Sequence, residues 1–125
     1  MRRRTTPAEP PTQVLDPERL RELAQDTSAA AAEQFASAYA ALLPARVDRV
    51  IRKVGIGNRH QAVEAVLSLK AASSMAGALR MSQLCRKLEQ ALVIADMAGA
   101  LAVARDISLH LPDLHEALAA RPPLT

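Results

Sequence analysis

The side chains able to do chemistry are few. The chain has three histidines (His60, His110 and His115) and a single cysteine, Cys85. A zinc site wants three or four convergent ligands at fixed spacing. His110 and His115 stand five apart across Pro112, with Asp106, Asp113 and Glu116 nearby. That spacing does not put both imidazoles on one helical face, so both read as surface residues and no metal is expected. Cys85 falls at the edge of an apolar stripe and reads as a small packed hydrophobe rather than a reactive thiol. One cysteine excludes an internal disulfide and any multi-cysteine metal site. Ser68, Ser73 and Ser74 have no histidine base close in sequence, and no nucleophile-elbow glycines surround them. No glycine-rich loop is suited to cradling phosphate, and no cofactor is expected. His60 remains as either a surface histidine near a helix start or a group placed where the helix dipole favours an anion.

The elements that must position these groups are helical. No stretch alternates like a strand. Asp16 is the expected N-cap of a short first helix, with Pro17 at its first position and Leu20 and Leu23 inward. Asp26-Thr27-Ser28 offers caps for a long second helix striped by Phe35, Tyr39, Leu42, Leu43, Val47, Val50 and Val54, which Pro44 should kink or split. Gly55-Ile56-Gly57-Asn58 is a break. Asn58 then caps a third helix running to about Ala76, with Gln61 as capping-box partner and Gly77 as the structural turn. A fourth helix is predicted over roughly 79–96, with Met81, Leu84, Leu88, Ala91, Leu92 and Ala95 on one face. A last helix carries Leu101, Ala104, Ile107, Leu111, Leu114 and Leu118, bent or split by Pro112.

Composition agrees. The chain has 125 residues, 50% of them hydrophobic but only 2% aromatic, so its apolar material is mostly Ala, Leu and Val. Short connections between long amphipathic helices predict an all-α fold: an antiparallel four-helix bundle with a short extra N-terminal helix. Residues 1–14 read as a disordered lead, 15–120 as the bundle and 121–125 as a frayed tail. No apolar run reaches the ~18 residues needed to span a bilayer. The basic Arg2-Arg3-Arg4 is followed by Thr and Pro rather than an apolar stretch, so no secretory signal is expected. The formal charge of +3 owes much to that cluster. Three arginines without aromatic neighbours are a thin basis for nucleic-acid or membrane binding, and neither is expected. A cytoplasmic location is.

The third helix is the informative one. At ~100° per residue, Ala62, Ala65, Val66, Leu69, Ser73 and Ala76 gather on one side, small and apolar as a bundle interior requires. The opposite side holds His60, Glu64, Leu67, Ala71 and Ser74, flanked by Val63, Ser68 and Lys70. Leu67 is then either an exposed apolar spot on a polar face or a residue packed under a neighbouring helix.

The segment Val66-Leu67-Ser68-Leu69-Lys70-Ala71-Ala72-Ser73-Ser74-Met75-Ala76-Gly77-Ala78 resembles the signature of histidine phosphotransfer (HPt) domains. In that family it reads Ala-His-Ser-Leu-Lys-Gly-Ser-Ala, with a second glycine ten residues after the histidine. Ser68, Leu69, Lys70, Gly77 and Ala78 match in register. Leu84-Cys85-Arg86-Lys87-Leu88-Glu89 resembles the family's Leu-Cys-x-x-Leu-Glu run. Leu15-Asp16-Pro17-Glu18-Arg19-Leu20 resembles its opening helix, and Gly57-Asn58 the Gly-Asp pair before its phosphotransfer helix. The resemblance covers about residues 14–120. It implies an HPt-like bundle in two-component phosphorelay signalling, with a response-regulator receiver domain or a sensor kinase as partner.

The family's phosphate-accepting histidine falls on Leu67, which has no nucleophilic atom, and the glycine four residues later is Ala71. The resemblance therefore implies a docking module without phosphotransfer chemistry, not an enzyme. Its docking centre would be Val63, Leu67, Ser68, Lys70, Ala71 and Ser74, with Glu64 and Arg86 on the rim and Lys70 beside the place of the phosphate. Two alternatives stay open. His60, seven residues before Leu67 and ~10.5 Å along the axis, is a displaced acceptor in the first. The second is a self-associating structural bundle, although a monomer is expected rather than a dimer.

Overall fold

A computed structural model describes residues 13–124. Most of the expected lead, Arg2-Arg3-Arg4 included, lies outside the described residues, as does Thr125. Five helices follow one another: α1 (Pro17–Asp26), α2 (Ala29–Gly55), α3 (Arg59–Ala76), α4 (Leu79–Val93) and α5 (Met97–Ala120). No strand occurs among the described residues, and no helix there is long and apolar enough to cross a membrane. The helices pack as a bundle. α2 and α4 each contact both α3 and α5, and α1 lies against α2 and α3.

Local chemistry sets the starts. The carboxylate of Asp16 accepts from Glu18 N, and Ser28 Oγ accepts from Ala31 N. Asn58 Oδ1 accepts from Gln61 N at 3.0 Å. The reciprocal half of the expected capping box is absent, because the Asn58 N–H donates to the Lys53 carbonyl that ends α2. Gly77 sits at φ +77, the left-handed region that ends a helix without a Cβ penalty. Ala78 N donates to Ser73 O and Gly77 N to Ser74 O, which satisfies the last carbonyls of α3. Asp16 N in turn donates to Gly77 O at 2.7 Å, tying the start of α1 to this turn.

Neither proline splits its helix. Pro44 and Pro112 lie inside continuous α2 and α5, and both are exposed. An interior proline costs about 3 kcal/mol. In α2 that cost is set against Ala32, Ala36, Tyr39 and Leu43 on one side and Val47, Val50 and Val54 on the other, all buried. Burial of a large apolar side chain is worth about 1.5–3 kcal/mol, so packing outweighs the missing bond.

The core is built from small and aliphatic residues of α2 to α5, among them Leu43, Val50, Val66, Leu69, Met81, Leu88, Leu92, Ile107 and Leu114. Cys85 is fully buried there, and burial pushes its thiol up to about 12, so it stays protonated. Tyr39 is the one buried aromatic. Its hydroxyl meets Ser73 Oγ at 2.7 Å, and burial raises it to about 12 against the opposing effect of that bond.

Several expectations are corrected. Val14 packs against the core, so the ordered unit begins before residue 15. The tail is not frayed over Arg121–Leu124: Arg121 pairs with Glu33, and Leu124 N donates to the same carboxylate at 2.9 Å. Leu42 and Leu101 point to solvent, because each is one position, about 100°, round the helix from a neighbour that takes the inward place, Leu43 and Ala100. α4 stops at Val93, and Ala95, far from lining its face, is exposed in the connection at φ +59. The guanidinium of Arg59 donates to the carbonyls of Leu92 and Val93 and caps that end.

His110 is also not a surface residue. It is 6% exposed, and its Nε2 has no hydrogen-bond partner. Burial holds its pKa below the usual histidine value, helped by Arg80 on α4 and opposed by Asp113. Such a group resists protonation in the fold but not in the unfolded chain, so stability is full above about pH 6.5 and falls as the pH drops below it. Urea titrations between pH 7.5 and 5 should show this decline, with a slope of at most about 1.4 kcal/mol per pH unit from this group. His110→Leu should flatten it; an unchanged slope would assign the decline to other groups.

Candidate functional site

The sequence grouped seven residues around Leu67, and the structure spreads them over two surfaces. The inward set of α3 (Ala62, Ala65, Val66, Leu69, Ser73, Ala76) is buried in full. Its pitch carries Leu67 to the opposite side, where it is 40% exposed. Glu64, Ser68 and Ala71 are exposed beside it. Met75, two turns further on and not singled out from the sequence, is 49% exposed and continues the ridge Leu67–Ala71–Met75 at four-residue intervals. Met75 also lines a shallow groove against Arg19, Glu22, Leu23 and Asp26 of α1.

Lys70 and Ser74 lie on the seam with α4. The Lys70 ammonium meets Glu89 Oε1 at 2.6 Å, with both side chains about one third exposed (31% and 28%). Ser74 Oγ and Ser82 Oγ are 2.8 Å apart. Val63 is half-buried and packs against the core. Arg86 is exposed on α4 and lines a depression with Glu89, Gln90, Val93 and Ile94. Glu89, like Met75, was missed as a site residue. It closes the Leu-Cys-x-x-Leu-Glu run, but only the packing of α3 on α4 reveals that it answers Lys70.

This pairing decides what the face can do. A free lysine would attract an anion. Here an adjacent carboxylate neutralises it and would repel a phosphoryl group brought to the same spot. The hydroxyls of Ser73 and Ser74 each bond another hydroxyl, and the Cys85 thiol is buried and protonated. His60 is exposed in the first turn of α3, with Glu64 Oε1 3.6 Å from its Nε2. Among the described residues no group of three or more His, Cys, Asp or Glu is arranged to hold a metal ion. The surface therefore offers an apolar ridge bordered by polar groups, a form suited to protein contact.

Comparison with protein-family models, with curated proteins and with solved structures gives no match to this chain.

Proposed function

We propose that the chain is an HPt-like module of two-component signalling that docks a receiver domain, or the sensor kinase that feeds it, without carrying phosphate itself. One observation carries the reading. Leu67, the residue in register with the family's histidine, is exposed at the centre of the outer face of α3 rather than packed under a neighbour. A side chain with no lone pair then occupies the presenting position. The packing of α2 and α4 against α3 and α5, with two-residue connections after α3 and α1, supports an antiparallel four-helix arrangement with α1 as an addition. A cytoplasmic location fits such a role.

The docking surface comprises Val63, Leu67, Ser68, Ala71 and the Lys70 and Ser74 seam, with Glu64 and Arg86 at its rim. Titration of the purified chain against a panel of receiver domains tests it. Binding by at least one receiver is expected, and Leu67→Asp should weaken it by about 2 kcal/mol or more, roughly 30-fold. Unfolding stability should fall by only about 1–2 kcal/mol, since Leu67 is 40% exposed and lies outside the core. Binding indifferent to Leu67→Asp, or absent throughout the panel, overturns the reading.

The exposure of His60 supports one rival, an active phosphotransfer protein with a displaced acceptor. Incubation with a phosphorylated receiver discriminates. Acid-labile phosphate that vanishes in His60→Gln would establish the rival and remove the non-phosphorylatable assignment.

A further inference from the structure

Charge is segregated across the bundle. On α2, Arg46, Arg49 and Lys53 recur at intervals of three and four and share one edge. That edge is the one beside α3: Arg46 lies two turns along α2 from Tyr39, whose hydroxyl bonds Ser73 of α3, whereas Ser37 and Ala40 on the other edge of α2 face α5. On α4, Ser82 and Glu89 bond α3, and Arg86 lies between them on the same edge. None of Arg46, Arg49, Lys53 and Arg86 is in an ion pair among the described residues; the pairs formed there use other cations. Leu67 thus lies between two cationic borders, while the Met75 end of the ridge meets α1 and its Glu22 and Asp26. α5, which does not contact α3, carries exposed Asp106, Asp113 and Glu116.

The geometry points to Arg46, Arg49, Lys53 and Arg86 as the steering groups of this face, which fits an acidic protein surface: carboxylates surrounding an apolar spot that receives Leu67. The inference rests on the docking reading above and specifies the partner's chemistry. Complementary potentials of this kind raise association rates and fix orientation more than they raise contact energy. A nucleic acid fits less well. The centre of the face is apolar, the carboxylate of Glu64 stands at its rim, and the aromatic rings that would stack bases, Phe35 and Tyr39, are stacked on each other instead, with Tyr39 buried.

Association rates of the wild-type chain with the receiver panel, at low and at near-physiological salt, test the inference. The triple variant Arg46→Glu/Arg49→Glu/Lys53→Glu is compared with Arg105→Glu on α5 as a control of equal sign and with Leu67→Asp. The expected result is an association rate that falls roughly tenfold or more in the triple variant at low salt, with most of the salt dependence lost, and little change in the control. Circular dichroism melts verify that the triple variant is folded; if it is not, the single Arg49→Glu, at an exposed position, replaces it with a smaller loss expected. Rates unchanged by charge reversal while Leu67→Asp abolishes binding would overturn this inference and leave the docking reading standing. No binding in the panel at low salt would overturn both, and tighter binding to a short DNA duplex than to any receiver would overturn the acidic-protein assignment.

Discussion

On the docking reading proposed above, Leu67→His should let the chain accept phosphate from a docked receiver. The position is exposed at the middle of α3, and its backbone is helical on both sides, so an imidazole there can stand clear of the bundle. Transfer from a phosphorylated receiver would form an N–P bond and break the P–O bond of the acyl phosphate. The aspartate carboxylate departs as leaving group, and the imidazole proton passes to water. Positioning a nucleophile against a bound donor is worth several orders of magnitude in rate, so transfer at least ~100-fold above wild type is expected. The pairing of Lys70 with Glu89 limits the gain, because the nearest cation is already neutralised. Adding Glu89→Gln should free the ammonium and raise the transfer rate further. Phosphohistidine mass spectrometry with radiolabelled transfer checks both. A variant that binds the receiver as well as wild type yet accepts nothing would mean that Leu67 does not occupy the presenting position.

The second large effect concerns folding. A Cβ on Gly77 would run into the carbonyl oxygen of Asp16 and come within 2.9 Å of Arg19 Cβ, and the residue's φ is +77. The left-handed backbone costs a non-glycine residue about 1–2 kcal/mol. The collision adds to this because Asp16 N is bonded to Gly77 O, so α1 cannot yield without losing that bond. Gly77→Ala should destabilise the chain by about 2–4 kcal/mol. Gly57 supplies the comparison. Its φ is +73, but nothing lies within 4 Å of an added Cβ, so Gly57→Ala should cost only the backbone part, about 1–2 kcal/mol. Gly55, inside the end of α2 with open space around it, should tolerate alanine or gain slightly. Urea melts of the three variants measure the series. Equal losses at Gly77 and Gly57 would show that the contact of α1 with the α3–α4 turn contributes little.

Short-range chemistry was the readable part of the fold. Asp16, Ser28 and Asn58 cap their helices because an oxygen two or three residues ahead of unsatisfied N–H groups needs nothing from the rest of the chain. The inward side of α3 was readable for the same kind of reason: Ala62, Ala65, Val66, Leu69, Ser73 and Ala76 repeat at the helical period. What failed depended on partners distant in sequence. Pro44 and Pro112 look like breaks locally, and only the burial of stripes on both sides holds α2 and α5 continuous. His110 looks like surface until α4 packs over it. Leu42 and Leu101 fit a stripe by spacing but fall outside the strip that neighbours cover.

The candidate face was half visible in the same way. That Leu67 points away from the core follows from helical geometry. That Lys70 is neutralised requires α3 to meet α4 at the level of Glu89, nineteen residues on. The basic border was present in the spacing of Arg46, Arg49 and Lys53, yet its position beside α3 follows only from the contact of Tyr39 with Ser73.

Mapping the interface by amide chemical-shift perturbation, with a receiver domain added to the labelled chain, bears most directly on the docking assignment. Shifts concentrated between Val63 and Met75 and around Arg86, with α5 largely undisturbed, are the expected result. Perturbations centred on α5, or none at saturating receiver, would contradict it.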